Sequence, residues 1–173
     1  MNDRPPVAPP EAVIRRNRDG GVALAGWIVL MVGLGAASGV LFGPDAWYGT
    51  LLKPTWNPPS WLFGPVWTAL YASMAFALWL VRRESDIDEP ARRRAQALFA
   101  VQFLLNLAWT PLFFALHSPG LAFVDICLLW IALLSTMLAF GRVRPLAGYL
   151  LLPYLLWVSF ALVLNGTIWL MNR

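Results

Sequence analysis

The sequence predicts an all-α membrane protein, built as a bundle of five transmembrane helices. Hydrophobic residues make up 59% of the 173-residue chain and charged residues only 13%, whereas soluble domains carry about 25% charged residues. The length suits one domain, here residues 21–173. A helix needs roughly 20 apolar residues to cross a bilayer, and five stretches reach that length: residues 22–42, 62–81, 95–116, 121–140 and 146–170.

Residues 1–20 precede the first apolar stretch and are rich in proline and arginine. This composition is typical of a disordered basic tail. The alternative is a signal peptide made of the tail and the first stretch. A signal peptide has an apolar core of roughly 7–15 residues, and the first stretch is longer, so we expect a retained transmembrane helix.

The basic residues predict the orientation of the bundle. Eleven of the thirteen Lys and Arg residues fall on the side that carries the N-terminus, and only Lys53 and Arg173 fall on the other side. The positive-inside rule therefore places the N-terminus in the cytoplasm. The loop at residues 43–61, called the lid loop below, then lies on the outer face. The sequence leaves open whether the membrane is an inner or an outer one.

Residues that could carry chemistry are few. The single cysteine, Cys127, excludes an intramolecular disulfide and a Cys-based zinc site, and the single histidine, His117, leaves too little for a transition-metal site. We expect Cys127 to be a packing residue and His117 to lie in the turn between the third and fourth stretches. The net charge of +4 does not indicate nucleic acid, because the basic residues flank apolar runs. We expect no metal and no intrinsic cofactor.

The lid loop combines many prolines with several of the ten tryptophans. The prolines exclude a membrane helix, and the tryptophans distinguish the segment from a solvated loop. We predict that it covers a ligand pocket, with Trp47, Lys53, Trp56, Asn57 and Trp61 as the lid residues. Anchoring at the membrane interface is an equally weighted alternative for these three tryptophans. We interpret Trp130 as a helix-packing residue and the tryptophans at the ends of stretches as interfacial anchors: Trp27, Trp79 and Trp169.

Polar and aromatic residues recur at helical spacing in three of the stretches. Spacings of three or four residues place side chains on one helical face. Because buried polar groups in a membrane need partners, these faces are expected to point into the bundle. The residues are Trp67 and Tyr71 in the second stretch, Gln102, Asn106, Trp109 and Phe113 in the third, and Tyr154, Trp157, Ala161 and Asn165 in the fifth.

Their depths predict a common site. Counted from the ends of the stretches, five residues lie in the outer half of the bilayer, beneath the lid loop, and Trp157 lies near mid-depth. We therefore predict an aromatic-walled pocket for a flat, apolar ligand in the outer part of the bundle. The five residues are Trp67, Asn106, Trp109, Asp125 and Asn165.

Three further features each have two interpretations. Asp125, the one charge inside a stretch, is either functional or held by a hydrogen bond to an indole or a neighbouring helix. Gly35 and Gly39 form a small-xxx-small pattern that either joins two chains or packs within one bundle. Pro111 and Pro153 are expected to kink their helices, which either widens the pocket or serves packing.

Six ordered motifs between residues 40 and 170 resemble the translocator protein family, also known as TspO/MBR, tryptophan-rich sensory proteins and peripheral benzodiazepine receptors. The chain is most similar in kind to its bacterial members. The motifs are Trp47-Tyr48 with Lys53-Pro54-x-Trp56-x-Pro58-Pro59, Gly64-Pro65-Val66-Trp67-x-x-Leu70-Tyr71, Gln102-x-x-x-Asn106-x-x-Trp109-x-Pro111-x-Phe113-Phe114, Val124-Asp125, Pro153-Tyr154-Leu155-x-Trp157 and Leu164-Asn165.

The resemblance implies an oligomeric state, ligands and ligand-lining residues that the sequence patterns alone do not indicate. It implies a five-helix bundle, commonly a homodimer, that binds protoporphyrin IX and related tetrapyrroles, and in some members sterols or isoquinoline and benzodiazepine ligands. It implies a ligand-lining set of Tyr48, Trp67, Tyr71, Asn106, Trp109, Phe113, Trp157 and Ala161. Leu164-Asn165 is followed by Gly166 and not by the Tyr of the animal sterol motif. Porphyrin is therefore the better expectation than sterol.

Three functions follow from the resemblance. The first is a receptor or sensor that binds porphyrin and regulates tetrapyrrole metabolism or a stress response. The second is a light-dependent enzyme that degrades porphyrin, for which Trp67 and Trp157 match the pair tied to porphyrin photochemistry. The sequence contains no nucleophile–base pair, metal cluster or phosphate loop for other chemistry. The third is a transporter, which the lack of an inverted repeat disfavours.

Overall fold

The computed structural model describes residues 10–85 and 87–173, with the backbone alone at residues 10–19. The described residues form seven α-helices and no strand. A 3₁₀ turn at Ser60–Leu62 leads into the third helix, and a π-helical turn at Pro111–Ala115 extends the fourth. The helices are α1 Pro10–Phe42, α2 Ala46–Thr50, α3 Phe63–Arg83, α4 Glu89–Thr110, α5 Pro119–Val143, α6 Pro145–Leu150 and α7 Leu152–Met171.

The five predicted transmembrane helices are confirmed. Five segments are long and apolar enough to cross a membrane, and α6 together with α7 makes the fifth. The first segment lies within α1, and the third includes the π-helical turn. The segments are Gly20–Phe42, Ser60–Arg83, Glu89–Ala115, Pro119–Val143 and Pro145–Met171.

The first helix begins earlier than predicted. Residues 1–9 of the predicted tail lie outside the described residues, but α1 starts at Pro10, so residues 10–20 are helical and are not part of a disordered tail. Proline fits the first turn of a helix, because its missing N–H would have no partner there. The arginines that follow it have a high helix propensity, which the disorder prediction did not weigh.

The helices close into a ring. α1 packs on α3, α3 on α6, α6 and α7 on α5, α5 on α4, and α4 returns to α1. Side chains such as Met74, Leu133 and Tyr154 are fully buried between them. At α1–α3 the approach depends on Gly35, since a Cβ atom there would lie 2.0 Å from Cε2 of Tyr71. Gly35 therefore packs within one bundle, as small residues do where membrane helices approach closely.

Both prolines lie next to an interruption of a predicted transmembrane helix, but only Pro111 lies inside a continuous helical run. After Pro111 the backbone widens into the π-helical turn, in which the N–H of Leu116 donates to the Pro111 carbonyl at 2.9 Å. The fifth transmembrane segment breaks at Leu151, between α6 and α7. Pro153 is then in the first turn of α7, where its missing N–H costs no hydrogen bond. Both interruptions re-aim the side chains that follow them.

Candidate functional site

A central cavity of about 550 Å³ lies inside the ring, between α1, α3, α4, α5 and α7 and beneath the lid loop. Small-molecule sites typically have volumes of about 300–1,000 Å³, so the cavity has the size of a ligand-binding site. Its lining is mostly apolar and aromatic. Among the described residues that line it, none carries a charge.

All eight side chains of the predicted ligand-lining set line this cavity. They come from α2, α3, α4, the π-helical turn and α7. The residues that the resemblance implied therefore lie together around one cavity, and ligand binding itself stays a prediction. The eight are Tyr48, Trp67, Tyr71, Asn106, Trp109, Phe113, Trp157 and Ala161.

Aromatic rings from α3, the α4 side and α7 line the cavity. On α3, the ring centroids of Trp67 and Tyr71 lie 5.4 Å apart. On the α4 side, Trp109 and Phe113 stack at 5.0 Å. Trp157 of α7 completes the wall and packs edge-on against Phe63. Flat apolar rings offer their faces to other flat rings, so the cavity suits a planar aromatic ligand.

Buried hydrogen bonds fix the orientation of these rings. The Tyr71 hydroxyl donates to Oδ1 of Asn106 at 2.8 Å, and the Trp109 indole N–H donates to Oδ1 of Asn165 at 2.9 Å. The Asn165 amide donates in turn to the carbonyl of Pro119 at 2.9 Å. Since unpaired polar groups in a membrane interior are costly, the amides hold the aromatic walls in one arrangement. The sequence predicted the inward faces but not these pairings.

The lid loop covers the cavity mainly through small and medium-sized residues. Gly43, Pro44, Tyr48, Asn57, Pro58 and Ser60 line the cavity. Burial raises the pKa of the Tyr48 hydroxyl, and the Asn57 side chain acts in the opposite direction. The hydroxyl therefore stays protonated at neutral pH and can donate a hydrogen bond to a ligand.

Four of the predicted lid residues lie outside the lining. Trp47 stacks on His117 with centroids 4.3 Å apart, and Trp56 packs edge-on against Phe160. Trp61 is 71% exposed, which is the position of an interfacial anchor. Lys53 lies behind the lining, with Nζ 4.4 Å from the centroid of the Tyr48 ring and 3.2 Å from the Leu51 carbonyl.

Asp45 and His117 form a contact that no local sequence pattern predicts. Asp45 Oδ2 lies 2.9 Å from His117 Nε2, and its other oxygen caps α2 by accepting from the Tyr48 N–H at 3.2 Å. His117 lies in the predicted turn, with φ at 47°. Desolvation acts to raise the pKa of Asp45, but the hydrogen bonds with His117 and Tyr48 outweigh it and hold that pKa below its usual value of 3.8.

A second contact holds the other half of the lid loop. The side chain of Asn172, just after α7, accepts from the Leu52 N–H and donates to the Leu52 carbonyl, both at 2.9 Å. It also donates to the Ile168 carbonyl at the end of α7. The Asn172 amide thus forms with the Leu52 backbone the same pair of hydrogen bonds that a neighbouring β-strand would form. The lid loop is therefore fixed at α2 and again at Leu52.

Asp125 is buried beside the cavity and does not line it, although the next residue, Ile126, does. It is 6% exposed, and its Oδ2 has no hydrogen-bond partner among the described residues. The Tyr154 hydroxyl, also buried, has no hydrogen-bond partner among the described residues either. The hydrogen bond to an indole that we considered for Asp125 is absent from the described contacts. Its functional interpretation stays a prediction.

The remaining tryptophans have structural contacts. The Trp130 indole donates to Oγ of Ser159 at 2.8 Å, which confirms helix packing between α5 and α7. The three interpreted as anchors each lie beneath a guanidinium group at a helix end: Trp27, Trp79 and Trp169. Gly39 lines the cavity with Gly35, and a role of either in a dimer stays a prediction. In the part of the chain that the structure describes, no three His, Cys, Asp or Glu side chains could hold a metal ion.

The profile of the TspO/MBR family matches residues 26–170. Over 134 residues, the chain is 48% identical to the tryptophan-rich protein TspO of Chlorobaculum tepidum, covering 75% of this chain and 82% of that protein. It is 40% identical over 127 residues to the translocator protein of Homo sapiens, with coverages of 73% and 75%. Identity to the tryptophan-rich sensory protein of Cereibacter sphaeroides is 38% over 133 residues, with coverages of 77% and 81%. The chain therefore belongs to the TspO/MBR family of membrane proteins.

Proposed function

We propose that this protein is a membrane receptor or sensor that binds a tetrapyrrole such as protoporphyrin IX in the central cavity. The observation that carries the proposal is the uncharged, aromatic-walled cavity of about 550 Å³ beneath an ordered lid loop. Relatives named as a sensory protein and a translocator protein support a role in sensing or moving a small molecule. The fraction of protein with bound ligand would depend on the tetrapyrrole level, and through it the protein would regulate tetrapyrrole metabolism or a stress response.

The chemistry of the lining predicts how such a ligand is oriented. The apolar macrocycle can stack on lining rings such as Trp67 and Trp109, because aromatic faces attract one another when they stack. The carboxylates cannot be buried against this uncharged lining without a large desolvation cost. They must therefore point out of the cavity, towards the lid loop. Lys53, which lies directly behind Tyr48, is the cation best placed to meet one of them.

A porphyrin titration tests the proposal. Binding of protoporphyrin IX to the purified protein should quench the tryptophan fluorescence with saturation. Trp67→Ala combined with Trp157→Ala should weaken the affinity by roughly tenfold to a hundredfold, because each lost aromatic contact is worth about 0.5–1.5 kcal/mol beyond its buried area. Trp130→Phe changes a tryptophan that does not line the cavity and is the control. Unchanged affinity in the double variant would exclude this cavity as the site.

A second candidate function is light-driven oxidation of the bound porphyrin by dioxygen. It is favoured by Trp67 and Trp157, which both line the cavity and are oxidisable side chains next to the proposed ligand. Illumination of the complex in air should then bleach the porphyrin absorbance faster than that of free porphyrin in detergent. The double alanine variant, at saturating porphyrin, should lose this acceleration. Equal bleaching rates for bound and free porphyrin would exclude this oxidation, and binding would remain as the proposed function.

A further inference from the structure

Two arginines at the end of α3 each lie on an indole ring. The Cζ of Arg82 is 5.2 Å from the ring centroid of Trp27, and the Cζ of Arg83 is 4.8 Å from that of Trp79. Guanidinium groups stack on aromatic faces through cation–π attraction. We call these four residues the Arg–Trp cluster. It lies at the end of the bundle opposite the lid loop, where α3 ends beside the beginning of the first transmembrane segment.

The cluster is held in place by the backbone of α1. The Trp79 indole N–H donates to the Gly20 carbonyl at 2.8 Å. A Cβ atom at Gly20 would lie 1.7 Å from Nη1 of Arg83, so the guanidinium lies directly on the helix backbone. Any side chain at Gly20 would displace it. Two flexible arginines are therefore preorganised, which lowers the entropic cost of using them to bind an anion.

The two positive charges of the cluster have no acidic partner among the described residues. Among the described carboxylates at this end, Glu89 pairs with Arg92 and Arg93, and Glu84 lies 3.9 Å from Arg144. Asp88 is exposed and is not paired with either arginine. Arg82 makes one long hydrogen bond, from Nη1 to Oε1 of Gln96 at 3.5 Å. Both arginines are exposed, so their remaining N–H groups are free for an external anion.

The position of the cluster identifies the class of anion. Trp27 and Trp79 lie near the ends of two membrane-spanning segments, Gly20–Phe42 and Ser60–Arg83, at the level where indoles meet lipid headgroups. Arginine forks match the geometry of phosphate oxygens. The phosphate of a lipid headgroup would lie near this depth, with its acyl chains along the exposed flank of α1. The phosphate of an anionic lipid carries one negative charge that no headgroup cation offsets, and its oxygens could accept hydrogen bonds from both guanidinium groups.

We propose that the Arg–Trp cluster is a binding site for the phosphate of an anionic phospholipid. The site is independent of the proposed tetrapyrrole pocket, because its four residues are absent from the cavity lining. Arg82 and Arg83 supply the hydrogen-bond donors, and Trp27 and Trp79 fix the guanidinium planes. A bound lipid would bridge α1 and α3 at this end of the bundle and stabilise their contact.

Native mass spectrometry of the detergent-solubilised protein tests this proposal, with phosphatidylglycerol and phosphatidylcholine as probes. The wild-type protein should retain phosphatidylglycerol preferentially. Arg82→Gln combined with Arg83→Gln should bind it roughly 30-fold more weakly, since each arginine near an anionic lipid contributes roughly a fivefold gain in affinity. Arg94→Gln combined with Arg142→Gln removes the same charge from exposed sites elsewhere at this end and should leave the preference intact.

Further measurements distinguish a specific lipid site from a general charge effect and from a site for a soluble phosphate compound. Equal weakening in both double variants would show a general surface-charge effect and would overturn the site. Equal retention of both lipids by the wild-type protein would also overturn it. Glycerol phosphate should not compete at the lipid concentration used, and competition by it would assign the site to a soluble phosphate compound. If the glutamine variant does not fold, Arg82→Lys with Arg83→Lys keeps the charge but loses the stacked fork, and it should show an intermediate loss.

Discussion

The carboxylate of Asp45 lies 2.9 Å from Nε2 of His117, and this contact joins the lid loop to the turn between α4 and α5. Trp47, two residues after Asp45, stacks on the same imidazole and packs edge-on against Phe113 of the cavity wall. Tyr48, the next residue, lines the cavity. The pair therefore holds the part of the lid loop that touches both the ligand space and its wall.

Removing the charge of Asp45 should loosen the lid. Asp45→Asn keeps a side-chain oxygen that can cap α2, because Asn is as good an N-cap residue as Asp, but it weakens the contact with His117. An exposed ion pair contributes little, so we expect porphyrin dissociation to accelerate by roughly twofold to fivefold. Stopped-flow displacement measures it. Asp88→Asn, at an exposed position on the opposite end of the bundle, should dissociate at the wild-type rate.

Acid should release the same contact. Because the folded-state pKa of Asp45 is lowered, the charged form stabilises the closed lid above the usual pKa of 3.8. This contribution is lost as the pH falls through the lower, folded-state pKa. Pepsin cleavage within residues 43–61 should therefore increase below pH 3.8 in the wild-type protein, relative to Asp45→Asn. A pH profile identical to that of the variant would contradict the assignment.

Gly35 should be intolerant of any side chain. A methyl group there would overlap the ring of Tyr71, which donates the hydrogen bond to Asn106 in the cavity wall. Gly35→Ala should lower stability by about 1–3 kcal/mol, as overpacking does, and should also weaken porphyrin binding. Thermal unfolding and titration measure the two effects. Gly33→Ala, with nothing within 4 Å of the added atom, should change neither, and equal effects of the two substitutions would refute this packing.

The amide of Asn172 should control the second half of the lid loop. Asn172→Ala removes both hydrogen bonds to Leu52, each worth about 0.5–1.5 kcal/mol at most for such an exposed pair. We expect faster proteolysis between residues 51 and 60. Asn172→Asp keeps the acceptor for the Leu52 N–H but places an oxygen against the Leu52 and Ile168 carbonyls, to which the amide donates, so its cleavage should be about as fast as that of the alanine variant. Identical rates for all three proteins would show that the contact does not restrain the loop.

Local periodicity explains which parts of this site could be predicted. Trp67 and Tyr71, or Asn106 and Trp109, share a face because of helical spacing alone, and all four line the cavity. The start of α1 was mispredicted because composition favoured disorder while Pro10 and the following arginines permit a helix.

Contacts between residues that lie far apart in the sequence could not be predicted from local periodicity. Asp45 and His117 are 72 residues apart, and Leu52 and Asn172 are 120 apart. No local pattern records either pairing, because each depends on how the helices pack. Trp56, Asn57 and Trp61 all belong to the lid loop, and its composition does not show which of them reaches the cavity. The backbone of the loop decides that only Asn57 reaches the cavity.

Filling the cavity inside the helix ring shows whether it is the ligand site. Ala161→Phe places a ring in the lining without adding charge or removing a hydrogen bond. Protoporphyrin IX should bind the wild-type protein saturably, at one molecule per chain. The variant should show no saturable binding while it keeps the wild-type thermal unfolding midpoint. Wild-type affinity and stoichiometry in a folded Ala161→Phe protein would contradict the account.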